Sequence, residues 1–433
     1  MRKNFAFTAA SVASRLLVST LLFLLLARLW GPEQFGTFSF VFSVCALLVL
    51  MVDFGFPLFL LREIGADPAT APLLISQGVK AKSLLAVGTI VVAAVLAAVV
   101  GQETLPFALY ILLLLAAILL SYAEFSIAPL RALGRYDLET YLATCGNAIQ
   151  FLLAGGTAWA GGSPVAVAAA IVVSRMIYVT ASWLTLTRIV RILDIRNVPG
   201  NFVATVRQLW PYGVDGALTS IWGFIDVVAV RILFGAHIVG LYAAGQKCVQ
   251  GVVALAPIVG NVVIPSLARK ASQRAPDTWR LAARAGYLMV GIGFAFALPL
   301  IAIPYWIVGV VFGPEFSELG AWLPWFGAIL LVRFTGAAFG VVLSAIGLPK
   351  KRVVGQVLAL LTYLCAIVTI AMVDLHPRSA LVALLIAMTA MGLLYAGQLL
   401  AARRSNYLAI PIAEGAKRSL LDRIISAREE KDG

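Results

Sequence analysis

The chain has 433 residues, of which 61% are hydrophobic and 12% charged, and its formal net charge is +13. So little charge over so long a chain excludes an ordinary water-soluble domain, and apolar runs of about 18 residues or more, each long enough to cross a bilayer as a helix, recur from end to end. Lipid leaves unpaired backbone groups unsatisfied, so these runs are expected to cross as α-helices and not as open sheet.

Twelve spans are predicted, at 5–27, 37–61, 83–101, 105–130, 141–160, 164–187, 209–230, 238–265, 286–312, 319–346, 353–373 and 379–402. The first follows Arg2 and Lys3 as a signal peptide would, but Arg15 interrupts it and no small-x-small cleavage pattern follows Leu26, so it reads as a retained helix. With these spans, 26 of the 33 lysines and arginines fall on the side of the N-terminus. Arg28, Arg231 and Arg378 fall on the other side, and four lie within spans. Basic residues concentrate in cytoplasmic loops, so both termini are expected in the cytoplasm. The positive charge is then a topology signal with an attraction for anionic headgroups, and it needs no nucleic acid partner. Cys45, Cys145, Cys248 and Cys365 all lie within spans, where they read as small packing residues and not as a disulfide framework. The tail 415–430 reads as a basic amphipathic helix, with Leu420, Leu421, Ile424 and Ile425 on one face, lying on the membrane surface or binding a partner. Tryptophans 30, 159, 306, 322 and 325 near one set of helix ends, and 183 and 210 near the other, form an aromatic belt.

A six-helix unit is used twice. Arg28-Leu29-Trp30-Gly31 with Phe35-Gly36 resembles Arg231-Ile232-Leu233-Phe234-Gly235 with Val239-Gly240, the glycines at an offset of 204. Ala132-Leu133-Gly134 resembles Ala345-Ile346-Gly347 at an offset of 213. The expected organisation is an N-terminal lobe at 1–200, a C-terminal lobe at 201–402 and a basic tail at 403–433. Because six is even, the copies would be related by an axis along the membrane normal, with a path between them.

Eight ionisable residues fall within the predicted spans: Arg15, Arg175, Lys247, Arg333, Asp53, Glu124, Asp215 and Asp226. At about 3 kcal/mol each on the insertion scale, leaving all of them in lipid would cost on the order of 25 kcal/mol. That exceeds the ~5–15 kcal/mol net stability of a typical domain, so they must be paired or face a hydrated cavity. Glu124, near a helix end, could instead snorkel. Thr8, Ser11, Arg15 and Ser19 form one stripe along the first helix. The offset of 204 maps the stripe onto Tyr212, Asp215, Thr219 and Gly223, extended by Asp226. Gln246, Gln250 and Asn261 trace a further polar line with Lys247 beside it. Predicted helices 1, 2, 7 and 8 are therefore expected to line a central cavity, Arg15 and Asp215 on opposite walls. Arg15, Lys247, Arg333 and Arg175 are the candidate substrate-binding cations. Asp53, Asp215 and Asp226 are candidates for ion coupling or for pairing with those cations. The chain has no phosphate-binding glycine loop with lysine, and its two histidines, His237 and His376, have no partner ligands nearby, so neither a cofactor nor a metal is expected.

Ala27-Arg28-Leu29-Trp30-Gly31-Pro32-Glu33-Gln34-Phe35-Gly36-Thr37-Phe38, Val52-Asp53-Phe54-Gly55-Phe56 before Leu61-Arg62-Glu63-Ile64, and Arg131-Ala132-Leu133-Gly134-Arg135 together resemble polysaccharide biosynthesis proteins of the O-antigen flippase type. That family shares a superfamily with multidrug-extruding cation antiporters and lipid II flippases. The resemblance implies an all-α polytopic protein of about 12 transmembrane helices in two six-helix lobes around a cavity that opens to each side in turn. It implies a polyprenyl-diphosphate-linked oligosaccharide as substrate, the bacterial inner membrane as location, and membrane lipids and polysaccharide assembly proteins as partners. A cation-coupled small-molecule antiporter on the same fold is the second reading. A membrane-embedded polymerase or ligase is the third, and it is disfavoured because the outer loops are too short for catalytic groups.

Overall fold

A computed structural model of the protein describes residues 2–190, 202–253, 255–273, 275, 277–373 and 376–404. The amphipathic reading of 415–430 lies outside the described residues. In chain order the helices are α1 (Arg2–Asp53), α2 (Phe56–Ala66), α3 (Ala71–Val100), α4 (Phe107–Ala132), α5 (Tyr136–Gln150), α6 (Gly156–Trp159), α7 (Pro164–Ile189), α8 (Phe202–Ile221), α9 (Ile225–Val253), α10 (Leu255–Ser272), α11 (Thr278–Ala302), α12 (Pro304–Val311), α13 (Leu323–Ala345), α14 (Pro349–Val373) and α15 (Ser379–Arg404). Among the described residues, nine helical stretches are long and apolar enough to cross a membrane. The chain is a multi-pass membrane protein.

The helix boundaries differ from the expected ones in informative ways. No loop separates the first two predicted spans: α1 is one helix of 52 residues that turns at Gly31, where φ is 71°, and resumes with Pro32 at the start of the second arm. The predicted fifth span holds α5 and α6, joined through a π-helical turn at Phe151–Gly155. The predicted seventh span is broken between α8 and α9 by a turn at Gly223. α3 begins well before its predicted span, so Lys80 and Lys82 are helical residues and not part of a cytoplasmic connection.

Two compact units emerge from the packing. One comprises residues 1–251, 303–323 and 373–380, and the other comprises 252–302, 324–372 and the residues after 380. In the first, α4 lies along α7, α1 packs on α4 and α5, and α2 and α1 meet α8. Its core includes Phe56, Phe59, Leu60, Ile75, Phe125, Leu186 and Leu209. In the second, α10 and α11 pack together, and Leu267, Ala282, Val342 and Ile346 are buried with their neighbours.

The repeated motifs share local geometry. Gly31 and Gly235, at the offset of 204, both bend a continuous helix with positive φ, 71° and 85°. Gly134 and Gly347, at the offset of 213, have φ of 78° and 83°. They close matching turns: Arg135 N–H bonds Leu130 carbonyl at 2.9 Å, and Leu348 N–H bonds Leu343 carbonyl at 2.9 Å. The second glycine of each early motif lies where two backbones touch. A side chain at Gly36 would overlap the carbonyl oxygen of Ala236, and one at Gly240 would overlap that of Pro32. Pro32 and Ala236 are themselves 204 apart, so the contact is self-complementary, as a two-fold interface requires. In lipid, where apolar burial gives helices no net attraction, such close approach at small residues is a main source of association.

A second interaction fixes the break between α1 and α2. At Phe54 and Gly55 φ turns positive, 26° and 77°, and α1 ends. Lys82 of α3, fully buried, donates to the Val52 carbonyl at 3.1 Å and to Ser121 Oγ at 2.5 Å, and lies 3.4 Å from Asp53 Oδ1. Ser121 in turn donates to Asp53 Oδ1 at 2.5 Å. The ammonium caps the carbonyl end of α1, where positive charge is favoured. The rings of Phe56 and Tyr122, each 5.5 Å away, enclose it.

Two outcomes follow. Gly36→Leu or Gly240→Leu should destabilise the detergent-solubilised protein by about 1–3 kcal/mol through overpacking. Gly88→Ala, where a Cβ would meet nothing within 4 Å, should leave its thermal transition nearly unmoved. Lys82→Met should cost about 1–3 kcal/mol by leaving the Val52 carbonyl without its donor and Asp53 without its counter-charge, and adding Asp53→Leu should recover part of that loss in the same melting assay.

Candidate functional site

Four helices of the first unit bring charge together in the interior. Ser11 and Arg15 are four apart on α1, Glu124 and Arg131 seven apart on α4, and Arg175 and Tyr178 three apart on α7, so each pair shares a helix face. Glu139 lies in the first turn of α5, where the exposed N–H groups favour a carboxylate. Arg15 Nη2 pairs with Glu124 Oε1 at 2.9 Å, while Glu124 Oε2 lies 3.7 Å from Arg131 Nη2. Arg131 also pairs with Glu139 Oε1 at 2.9 Å, and Ser11 Oγ donates to the same oxygen at 2.9 Å. Arg175, half-buried, lies within electrostatic reach of Tyr178, Glu124 and Arg15, and forms no ion pair within 4 Å among the described residues. The group holds three arginines against two glutamates. Accessibility is uneven: the Arg15 side chain is 39% exposed, Glu124 18% and Glu139 1%.

A second polar group joins α9 to α1. Asp226 is buried, accepting from the Val227 N–H at 2.9 Å, the Tyr242 hydroxyl at 3.0 Å and Gln246 Nε2 at 2.6 Å. Lys247 donates to Gln250 Oε1 at 3.0 Å, and its ammonium lies 4.0 Å from the centroid of Phe23. Gln250 donates onward to the Gly223 carbonyl at 3.2 Å, which ties the network to the turn before α9. Phe23 packs edge-on against Phe35, Phe38 and Phe42, so the lysine sits over an aromatic wall where a cation is attracted even without a carboxylate contact.

The candidate residues thus separate. Arg15 and Arg175 meet in one group, whereas Lys247 and Asp226 belong to another. Asp53 is paired with Lys82 and Ser121 and does not meet Arg15. Arg333 is half-buried on α13, in the second unit. The side chain of Asp215 lies outside the described residues, as do those of Thr8, Thr219 and Asn261. Ser11 and Arg15 of the α1 stripe face their own half of the chain, and the neighbouring Ser14 Oγ lies 3.4 Å from Thr144 Oγ1 of α5. Glu124 bridges two arginines, Arg15 and Arg131. Arg131, Glu139 and Tyr178 complete the group although sequence reasoning passed over them. Arg131 and Glu139 flank a connection rich in ordinary surface charge, and nothing in their spacing marks them as turned inward.

Solved structures share the fold. A multidrug resistance MATE family transporter of the MOP superfamily, in its inward-facing conformation, superposes with a TM-score of 0.75 at 15% identity, covering 91% of this chain and 95% of that one. The outward-facing conformation of a multidrug resistance MATE family transporter gives 0.63 at 17% identity, covering 94% and 96%. The lipid II flippase MurJ in an inward closed conformation gives 0.69 at 12% identity, covering 91% and 87%. No curated protein gives a significant sequence match. The model of the family described as "Polysaccharide biosynthesis protein" matches residues 1–270, more than half of the chain, and the protein therefore belongs to the polysaccharide biosynthesis protein family.

Proposed function

We propose that the protein is a flippase that carries a polyprenyl-diphosphate-linked oligosaccharide from the cytoplasmic to the outer leaflet of the bacterial inner membrane by alternating access. The observation that carries this reading is the interior group of Arg15, Arg131 and Arg175. Hydrocarbon offers a diphosphate no counter-charge, and guanidinium forks match phosphate oxygens with two parallel hydrogen bonds. Arg15, the most accessible of the ion-paired members, makes the first contact, and Arg175 supplies a second guanidinium near it. Lys247 over its aromatic wall serves a later position along the path, and Arg333 is a further candidate cation for the substrate.

The proposed topology has twelve crossings with both termini cytoplasmic, in two six-helix lobes at 1–200 and 201–402. The matching turns of the two repeats support a common ancestry for the lobes. The family and the fold shared with a lipid II flippase support the substrate class. Membrane lipids hold the polyprenyl tail, and polysaccharide assembly proteins consume the product outside. Asp226 and Asp215 take the ion-coupling role.

The shared fold with multidrug transporters favours one other reading, a cation-coupled small-molecule antiporter. Reconstituted vesicles separate the two. Wild-type protein should translocate a fluorescent polyprenyl-diphosphate oligosaccharide. Arg15→Ala, losing a charge-assisted contact of about 1.5–3 kcal/mol, should lower that flux roughly ten- to a hundredfold at equal incorporation. Absence of lipid-linked sugar flux, with drug export that depends on a carboxylate, would sink the flippase reading in favour of the antiporter.

A further inference from the structure

The interior arginines face a physical difficulty that their neighbours resolve. A carrier must cross its cycle both with and without cargo, and an arginine left bare in hydrocarbon on the return would be costly. The two glutamates of the group differ in how they meet this. Glu139 is almost wholly buried and anchored by both Arg131 and Ser11. Glu124 is more accessible, binds Arg15 tightly, and reaches Arg131 only at 3.7 Å.

We infer that Glu124 is an internal competitor for the anionic group of the substrate, holding Arg15 whenever no diphosphate does, so that binding is an exchange of one anion for another. The inference rests on the flippase reading and adds to it the residue that sets affinity against release. A diphosphate carries more charge than one carboxylate and engages a guanidinium with two oxygens, so it wins Arg15 on arrival. Glu124 is present at an effective concentration that no dissociated ligand matches, so it reclaims Arg15 and hastens departure.

The surroundings provide for the displaced carboxylate. Arg131 remains beside it on the same face of α4. Tyr178, 4% exposed, has a buried hydroxyl without a hydrogen-bond partner among the described residues. A buried orphan hydroxyl calls for an explanation, and here it is a donor waiting for Glu124 after exchange. The charged and titratable groups around Glu124 are Arg15 from α1, Arg131 from α4, Glu139 from α5, and Arg175 and Tyr178 from α7. With two glutamates already offsetting two of the three arginines, the interior keeps an excess of only one positive charge while it awaits an anion.

The test uses full-length protein in lipid nanodiscs with farnesyl diphosphate as probe. Glu124→Gln keeps the shape and removes the competing charge, so it should bind the probe on the order of tenfold more tightly than wild type. In vesicles the same variant should turn over lipid-linked sugar more slowly because release is impaired. Glu139→Gln should lower thermal stability without tightening binding. If Glu124→Gln folds poorly, Glu124→Asp, which withdraws the carboxylate by one methylene, should tighten binding to a lesser degree. Probe affinity that is unchanged or weaker in a folded Glu124 variant would overturn the inference alone and leave Glu124 as structural glue. Failure of both wild type and variants to bind the diphosphate would overturn the flippase reading together with it.

Discussion

A charged side chain surrounded by hydrocarbon must find a counter-charge or water, and this single requirement organises the described interior of the protein. Lys82 meets it by capping the broken end of α1 beside Asp53 and Ser121. Arg15 and Arg131 meet it through Glu124 and Glu139, and Asp226 meets it through three neutral donors. Each solution ties together helices distant in sequence: α1 with α3 and α4 in the first case, α1 with α4 and α5 in the second. Where apolar burial gives helices no net attraction for one another, polar contacts and close backbone approach specify which helices pack.

The two interior groups also differ in kind, and the difference bears on function. The Lys82 group is centred on a buried cation, with only Asp53 reaching the surface. Its lysine is inaccessible, and its acceptors are a backbone carbonyl, a hydroxyl and a carboxylate already in place. The Arg15 group is unbalanced, with three guanidiniums against two carboxylates, an accessible arginine on one side and an orphan hydroxyl on the other. The first is what a structural pair requires, and the second is what an anion-exchanging site requires.

The repeated glycines show how one short motif serves two purposes. Gly31 and Gly235 use positive φ to turn a helix without a loop. Gly36 and Gly240, five residues on, let the α1 and α9 backbones touch through Ala236 and Pro32. The contact is self-complementary, the same shape meeting itself from each side.

Composition and periodicity alone determined that the chain is helical and membrane-embedded, because apolar runs of this length have no other stable solution in lipid. The residue motifs pointed to the family, and the offset of 204 paired Gly31 with Gly235 without indicating that each bends a continuous helix. Helix ends were less legible: the kinked α1, the early start of α3 and the break at Gly223 all place helical turns where hydropathy read connections. Which charges meet was decided by tertiary structure. Lys82 and Glu139 looked like cytoplasmic charges, yet both are buried, and Arg15 found Glu124. Sequence fixes the face of a helix on which a charge lies, through the 3.6-residue turn. It does not fix which neighbouring helix that face meets, because that depends on packing among helices far apart in the chain.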